Sequence, residues 1–172
     1  MKKIAIVILN WNGSALLERF LPSVIAHSNE LANIYVADNG STDHSIQFLK
    51  SNFPSIKRIE LDRNHGFAGG YNQALKSLKE SLLCLMNSDI ATSEAWLKPI
   101  LEAFETQPKL AIAQPKIIDE LNKTKFEYAG AAGGYLDQFG YPFCSGRIFQ
   151  SIEEYQGQYN DQKDIIWATG AF

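Results

Sequence analysis

Short strand-like runs alternate with segments of helical periodicity along the chain as far as Pro115. The clearest run, Ile4–Leu9, is rich in β-branched residues and lacks polar alternation, as in a strand covered on both faces. Further strands are predicted at 34–37, 57–61, 82–86 and 110–114. Apolar residues at helical spacing predict helices over 14–26, in a short segment after Asp43, from Ala68 onward, and over 94–106. Asp43 is the predicted N-cap of the second of these helices. This order predicts an α/β fold with a mostly parallel central sheet and helices on both faces.

The alternation ends after Pro115. Residues 116–164 contain several glycines, many Tyr and Phe, and few helical patterns, which predicts a β-rich segment of hairpins and loops. The chain has 172 residues, with neither an internal repeat nor a low-complexity linker. Residues 1–172 are therefore expected to form a single domain.

Charge and composition exclude several classes of protein. The chain has 16 basic and 19 acidic residues, a net charge of −3, and no clustered basic face of the kind that binds nucleic acid. Cys84 and Cys144 have no partners at metal-binding spacing, and they are interpreted as reduced cysteines of a cytoplasmic protein. The first apolar run stops at Asn10, and no run approaches the ~18 residues of a membrane span. Peripheral association with the inner face of the membrane stays open.

Three predicted strands end in polar residues of similar kind. The first runs into "NWNG", the second into "DNGSTD" and the fourth into "NSD". Ligands of open parallel sheets bind beyond the carboxyl ends of the strands, so Trp11, Asp38 and Asp89 are expected to face one cleft. Each segment alone is also an ordinary turn, because Asn, Asp and Gly are common turn formers. Three polar strand ends at one edge of the sheet together favour a ligand-binding site over unrelated turns.

The segment "NHGFAGGYNQAL" follows the third strand and opens a helix. Its glycines allow backbone amides to approach a ligand, and a helix N-terminus favours an anion. The segment matches neither the dinucleotide-binding nor the P-loop glycine pattern. These two patterns therefore give no support to a dehydrogenase or a P-loop NTPase.

Taken together, the strand-end segments resemble the family 2 glycosyltransferases, which have the Rossmann-like GT-A fold, and in particular their rhamnosyltransferase-like branch. The matching segments, in order, are "AIVILNWNGSALLERFLPSV", "IYVADNGSTDHS", "NHGFAGGYNQAL", "LCLMNSDI" and "WATGAF". The resemblance implies that the chain is the N-terminal, donor-binding part of a longer enzyme, with "WATGAF" as a strand cut within the element.

The resemblance also implies roles for particular residues. Trp11 would lie against the base of a nucleotide-sugar, Leu9 would offer backbone contacts, and Asp38 would accept a hydrogen bond from the base ring. Asn64 and Gly66 would lie beside the ribose and base. The "NSD" segment takes the place of an Asp-x-Asp-like motif, with Asn87 and Ser88 near the nucleotide. Asp89 would bind Mg²⁺ or Mn²⁺, whose affinity without nucleotide is expected to be weak because Asn87 replaces an acid.

The activity implied is transfer of a sugar from a nucleotide-diphospho-sugar to an acceptor hydroxyl, with inversion at the anomeric carbon. The acceptor would be a saccharide or a lipid-linked molecule of cell-surface polysaccharide synthesis, and the general base is expected beyond Phe172. One alternative is a nucleotide-binding module without catalysis. Another is a phosphatase-like hydrolase, because "DNGST" is similar to a D-x-D-x-T loop, although Gly40 stands in place of its second acid.

Overall fold

The structure is a computed structural model that describes residues 4–127 and 132–169. The chain divides into two compact units, one extending to Leu101 and the other beginning at Glu102. Gly130 and the end of the "WATGAF" segment, residues 170–172, lie outside the described residues.

The first unit contains a four-stranded parallel sheet in the order β3-β2-β1-β4. Its strands are β1 (Ile4–Asn10), β2 (Ala32–Asp38), β3 (Lys57–Glu60) and β4 (Leu82–Asn87). The helices along the chain are α1 (Ser14–Ser28), α2 (Ser45–Asn52), α3 (Gly66–Leu75) and α4 (Leu97–Thr106). The predicted α/β class, with its parallel sheet flanked by helices, is confirmed.

The core forms around β1, which is buried on both faces. Ala5 and Val7 pack with Tyr71 and Ala74 of α3 on one face, while Ile6 on the other face is fully buried. The Tyr71 hydroxyl donates a hydrogen bond to the carbonyl of Met86 at 2.9 Å, which fixes α3 against the end of β4. Burial raises the pKa of Tyr71, so the hydroxyl remains a donor at neutral pH.

Several predicted boundaries change. Helix α2 begins at Ser45 with His44 as its N-cap, and Asp43 lies one position earlier, where its Oδ1 accepts the Ser45 amide at 2.9 Å. Helix α3 ends at Leu75, and α4 begins at Leu97, after Ala95 adopts a φ of 57° that interrupts helical geometry.

The fifth strand predicted at 110–114 is wrong. The segment forms no ladder among the described residues, and the Leu110 amide instead donates to the carbonyl of Gln107 in a turn after α4. Ile112 is 70% exposed, so the short apolar run is not buried in a sheet.

The second unit contains a four-stranded antiparallel sheet in the order β5-β6-β7-β8. Its strands are β5 (Gly134–Leu136), β6 (Pro142–Cys144), β7 (Arg147–Ile148) and β8 (Ser151–Ile152). Gly146, with a φ of 89°, allows the tight turn between β6 and β7. The prediction of a β-rich segment of hairpins after residue 115 is confirmed. Cys84 and Cys144 are both free thiols. None of the described helices has both the length and the apolar character needed to span a lipid bilayer.

Candidate functional site

The candidate site lies at the carboxyl edge of the parallel sheet, where three strand ends meet. Asn10 at the end of β1 stands opposite Asp38 at the end of β2, and Leu9 stands opposite Asn87 at the end of β4. The loops that follow these strands therefore begin side by side. This is the position at which open parallel sheets bind ligands.

A cleft of about 330 Å³ opens at this edge. Seven of the eight residues predicted from sequence line it, together with Asn39 and Phe67, which were not predicted. The seven are Leu9, Trp11, Asn64, Gly66, Asn87, Ser88 and Asp89. Asp89 is the only charged residue among the nine that line the cleft.

Asp38 is the predicted residue that does not line the cleft. It is 3% exposed, and its carboxylate is held by two donors. Asn10 Nδ2 donates to Oδ2 at 3.0 Å, and the Ser41 amide donates to Oδ1 at 2.8 Å. Its contact with a base stays a prediction. A buried carboxylate with both oxygens engaged is poorly placed to attack a phosphate ester, which argues against the phosphatase-like alternative.

Two loops at the carboxyl edge are joined through Asn12. This residue has a φ of 52°, a left-handed conformation that Asn tolerates better than most residues. Its Oδ1 accepts the amides of Thr42 at 2.7 Å and Asp43 at 3.3 Å, while its own amide donates to Ser41 Oγ at 2.9 Å. The β1–α1 loop, which carries Trp11, is thereby fixed to the β2–α2 loop.

Asp43 adds a further bond between the same two loops. Its Oδ2 accepts the amide of Ser14 at 3.1 Å. Burial raises the pKa of Asp43, but the hydrogen bonds from Ser45 and Ser14 outweigh that effect and leave the pKa below its ordinary value. Asp43 is therefore ionised at neutral pH and acts as a structural acceptor, consistent with the expectation that it serves the start of a helix.

Asn39 lines the cleft although only 2% of its surface is exposed. Its Oδ1 accepts the amide of His65 at 2.9 Å, and its Nδ2 donates to Asn64 Oδ1 at 3.1 Å and to the Gly66 carbonyl at 3.0 Å. It thus holds the loop that leads into α3. The sequence signal was available, because Asn39 follows Asp38 in "DNGSTD", but its partners lie some 25 residues away and no local pattern indicates them.

The "NSD" segment supplies oxygen ligands at the end of β4. Strand β4 ends at Asn87, and Ser88 and Asp89 follow in a turn, so an amide, a hydroxyl and a carboxylate line the cleft. These are the hard ligands that Mg²⁺ and Mn²⁺ prefer. No group of three or more His, Cys, Asp or Glu side chains suited to a metal ion exists within the ranges that the structure describes. The residues therefore fit a cation shared with an anionic ligand, not one enclosed by protein.

The remaining walls of the cleft are aromatic and polar. Trp11 is 57% exposed and Phe67 is 54% exposed, so both rings present apolar surface to solvent. Helix α3 begins at Gly66, where its N-terminus carries partial positive charge. The combination of flat apolar surfaces, amide groups and one carboxylate is suited to a planar base joined to an anionic group that shares a cation with the carboxylate.

Comparison with known proteins identifies the family. The family model described as "Glycosyl transferase family 2" matches residues 5–158. The chain belongs to glycosyl transferase family 2. The family predicted from the sequence is therefore confirmed.

Similar proteins match most of the chain but are themselves longer. An uncharacterized glycosyltransferase, alr2836, of Nostoc sp. is 25% identical over 139 residues, which is 79% of this chain and 43% of the relative. An N-acetylglucosaminyl-diphospho-decaprenol L-rhamnosyltransferase of Mycobacterium tuberculosis is 23% identical over 125 residues, 66% of this chain and 41% of the relative. The chain thus spans less than half the length of these relatives.

Solved structures of glycosyltransferases share the fold. The mannosyltransferase PcManGT of Pyrobaculum calidifontis, in complex with GDP-Man and Mn²⁺, superposes with a TM-score of 0.54 at 16% identity, over 67% of this chain and 33% of that one. S. aureus TarS 1–349, in complex with UDP-GlcNAc, gives a TM-score of 0.55 at 18% identity, over 68% of this chain and 38% of that one. The predicted GT-A fold is confirmed.

Proposed function

We propose that this chain is the donor-binding part of an inverting glycosyltransferase, which moves a sugar from a nucleotide-diphospho-sugar to an acceptor hydroxyl. One observation carries the proposal: in a family 2 chain, the ends of β1 and β4 bring Trp11 and the Asn87–Asp89 segment to the same cleft. A single GT-A nucleotide-sugar-binding domain that includes residues 1–172 is part of the proposal.

The nucleotide is proposed to bind between the aromatic and amide walls. Trp11 would stack its ring on the base. Such stacking is possible with any base, because every base has a flat aromatic face. Leu9 offers its backbone. Asn64 and Gly66 line the same cleft and would contact the ribose and the base. Asp38 is proposed to accept a hydrogen bond from the base ring. Its position at the end of β2 supports this contact, whereas its burial argues against it.

Asp89 is proposed to hold Mg²⁺ or Mn²⁺ together with the diphosphate, with Asn87 and Ser88 beside it. The cation would neutralise charge on the leaving diphosphate. None of the nine described residues that line the cleft is basic, so these residues offer the diphosphate no full positive charge. Because one carboxylate alone binds such ions weakly, metal and nucleotide are expected to bind together.

Acceptor and base belong to the larger enzyme in this proposal. The relatives are more than twice the length of the matched segment, which supports a general base supplied by residues beyond Phe172. Two similar proteins support a saccharide or lipid-linked acceptor in cell-surface polysaccharide synthesis: the diphospho-decaprenol rhamnosyltransferase, and a teichoic acid poly(glycerol phosphate) polymerase of Staphylococcus epidermidis. A lipid-linked acceptor would require work at a membrane, and we propose its inner, cytoplasmic face.

Calorimetric titration with UDP, dTDP and GDP, each with and without Mn²⁺, tests the proposal. At least one diphosphate is expected to bind, with an affinity that rises when Mn²⁺ is present. Asp89→Asn should remove most of that rise, about tenfold or more, because Asp89 is the only charged residue among the described residues that line the cleft. Glu30→Gln, at an exposed carboxylate after α1, is the charge-matched control and should leave the titration unchanged.

Absence of binding by all three diphosphates in the presence of Mn²⁺ would reject the nucleotide-sugar assignment. Sugar transfer by a longer form of the protein, and its loss on Asp89→Asn, would separate an enzyme from a nucleotide-binding module without catalysis.

A further inference from the structure

Asn39 makes contacts that exceed those of an ordinary turn residue. The residue is 2% exposed, and its side chain reaches the loop Asn64–Gly66, which forms one wall of the cleft. Three hydrogen bonds of 2.9–3.1 Å join the two. All the hydrogen-bonding atoms of this amide side chain are directed at one loop.

The identity of each amide atom is fixed by backbone partners. The His65 backbone N–H can only donate, so the Asn39 atom facing it at 2.9 Å must be the oxygen. The Gly66 carbonyl can only accept, so the Asn39 atom facing it at 3.0 Å must be the nitrogen. Position 39 therefore requires a donor and an acceptor on one short planar group. A carboxylate has the same shape but lacks the donor.

Asn64 differs from Asn39 in this respect. Its Oδ1 accepts from Asn39 Nδ2 at 3.1 Å and from the Gly66 amide at 2.7 Å, and both bonds use the oxygen. A carboxylate at position 64 would preserve both acceptor contacts. The two asparagines are thus unequal in their tolerance of aspartate, although they lie in one network beside one cleft.

Packing on the far side of Asn39 restricts it further. A Cβ at Gly70 of α3 would lie 2.9 Å from Asn39 Nδ2 and 2.9 Å from Leu9 Cδ1. The glycine thus lets α3 approach Asn39 closely. The amide is therefore packed against this helix and hydrogen-bonded to the loop.

We infer that Asn39 is a positioning residue for nucleotide binding: its amide sets the wall of the cleft that Asn64, Gly66 and Phe67 form, and a carboxylate cannot replace it. This inference rests on the proposed function for the identity of the ligand. The effect on the loop itself is independent of any ligand. In the Asn39→Asp variant, a negative oxygen would face two acceptors, Asn64 Oδ1 and the Gly66 carbonyl, and would push the loop away.

Charge-matched variants test the inference. Asn39→Asp and Asn64→Asp each add one negative charge at the same wall, so any difference between them reports the lost donor. Amide hydrogen exchange, measured residue by residue by NMR without nucleotide, should be about tenfold faster at His65 and Gly66 in Asn39→Asp. It should be close to wild type in Asn64→Asp, and at Val7 in both variants.

Calorimetry with the diphosphate that binds the wild type, in the presence of Mn²⁺, gives the second measurement. Affinity should fall about tenfold more in Asn39→Asp than in Asn64→Asp, while the factor by which Mn²⁺ strengthens binding stays unchanged, because Asp89 lies outside this network. Equal exchange and equal affinity in the two aspartate variants would overturn the inference. If the wild type binds no diphosphate, the proposed function fails, and the exchange rates still decide the role of Asn39.

A second pair covers the case in which Asn39→Asp does not fold. Asn64→Ala removes the oxygen that accepts from Asn39 and Gly66, whereas Asn64→Asp keeps it. Faster exchange at Gly66 in Asn64→Ala alone would support the network as the support of the loop. Equal exchange in both Asn64 variants would overturn it.

Discussion

At the scale of single residues, the cleft is built from exposed rings and buried amides. Trp11 and Phe67 each leave more than half of their surface in solvent, at 57% and 54%, and both line the cleft. Asn39, beside them, is buried with every polar atom engaged. Half-exposed rings offer contact area to a ligand, while satisfied amides hold the shape of the site. The two kinds of residue should therefore respond differently to substitution.

Trp11→Ala should weaken binding of the nucleoside diphosphate by about tenfold to a hundredfold, because the stacking surface is lost. The free energy of unfolding should change little, since the ring is largely exposed. Trp11→Phe keeps a ring and should recover most of the affinity. Calorimetry and urea unfolding of the three proteins measure both quantities. An unchanged affinity in Trp11→Ala would show that the base lies elsewhere.

Gly70→Ala should lower both stability and nucleotide affinity. The added Cβ would meet Asn39 and Leu9 at 2.9 Å, and such overpacking costs about 1–3 kcal/mol. Gly69→Ala, one position earlier in α3, is the matched control. There the nearest atom, His65 Cβ, is 3.2 Å away, and the helical gain of about 0.5–1 kcal/mol offsets the tight contact. Urea unfolding should separate the two variants, and equal stabilities would contradict the assigned packing.

At the scale of elements, strands were predictable and loop contacts were not. Buried parallel strands are continuous apolar runs, so β1, β2 and β4 could be found from local sequence. The run at 110–114 has similar composition, but it forms no ladder within the part of the chain that the structure describes. It was predicted wrongly because composition does not show whether a partner strand is present. The lining residues were found because strand order brings their loops together. Asn39 was missed because its bonds join distant loops.

The Asn12 contact between loops makes a prediction at this scale. Asn12→Ala should lower the free energy of unfolding by about 2 kcal/mol or more, since it loses the acceptor for Thr42 and Asp43 and strains a φ of 52°. Asn12→Gly loses the same acceptor without the strain, and it should be less destabilised by about 1 kcal/mol. Asn12→Asp keeps the acceptor and should resemble the wild type. Urea unfolding gives the order, and an Ala variant as stable as Asp would contradict it.

Within the unit that extends to Leu101, the carboxyl and amino ends of the parallel strands have different roles. The carboxyl edge holds the cleft. Toward the amino edge, Glu80 precedes β4 and accepts hydrogen bonds from Asn33 at 2.7 Å and Tyr35 at 2.9 Å, both on β2. Because β1 lies between β4 and β2, these bonds link strands that are not neighbours. Since none of these residues lines the cleft, we expect that stability at this end can change without altering the cleft.

Lowering the pH should remove the contribution of Glu80 to the free energy of unfolding. Burial raises the pKa of Glu80, but the bonds from Asn33 and Tyr35 outweigh it, and the pKa in the folded protein lies below the ordinary value of 4.5. The folded state then binds fewer protons than the unfolded state, so the contribution is complete above about pH 4.5 and is lost as the pH falls through the folded pKa. Glu80→Gln should cost about 1 kcal/mol at neutral pH and progressively less in acid.

Urea unfolding of wild type and Glu80→Gln between about pH 7 and about pH 3 measures this difference. Tyr35→Phe removes one donor and should bring the pKa of Glu80 closer to its ordinary value, so its remaining contribution should fade at higher pH. Nucleotide affinity at neutral pH should be unchanged in both variants, because neither residue lines the cleft. A stability difference that stayed constant across the pH range would show that the ionised carboxylate is not what links β4 to β2. Reduced affinity would instead show that the two edges are coupled.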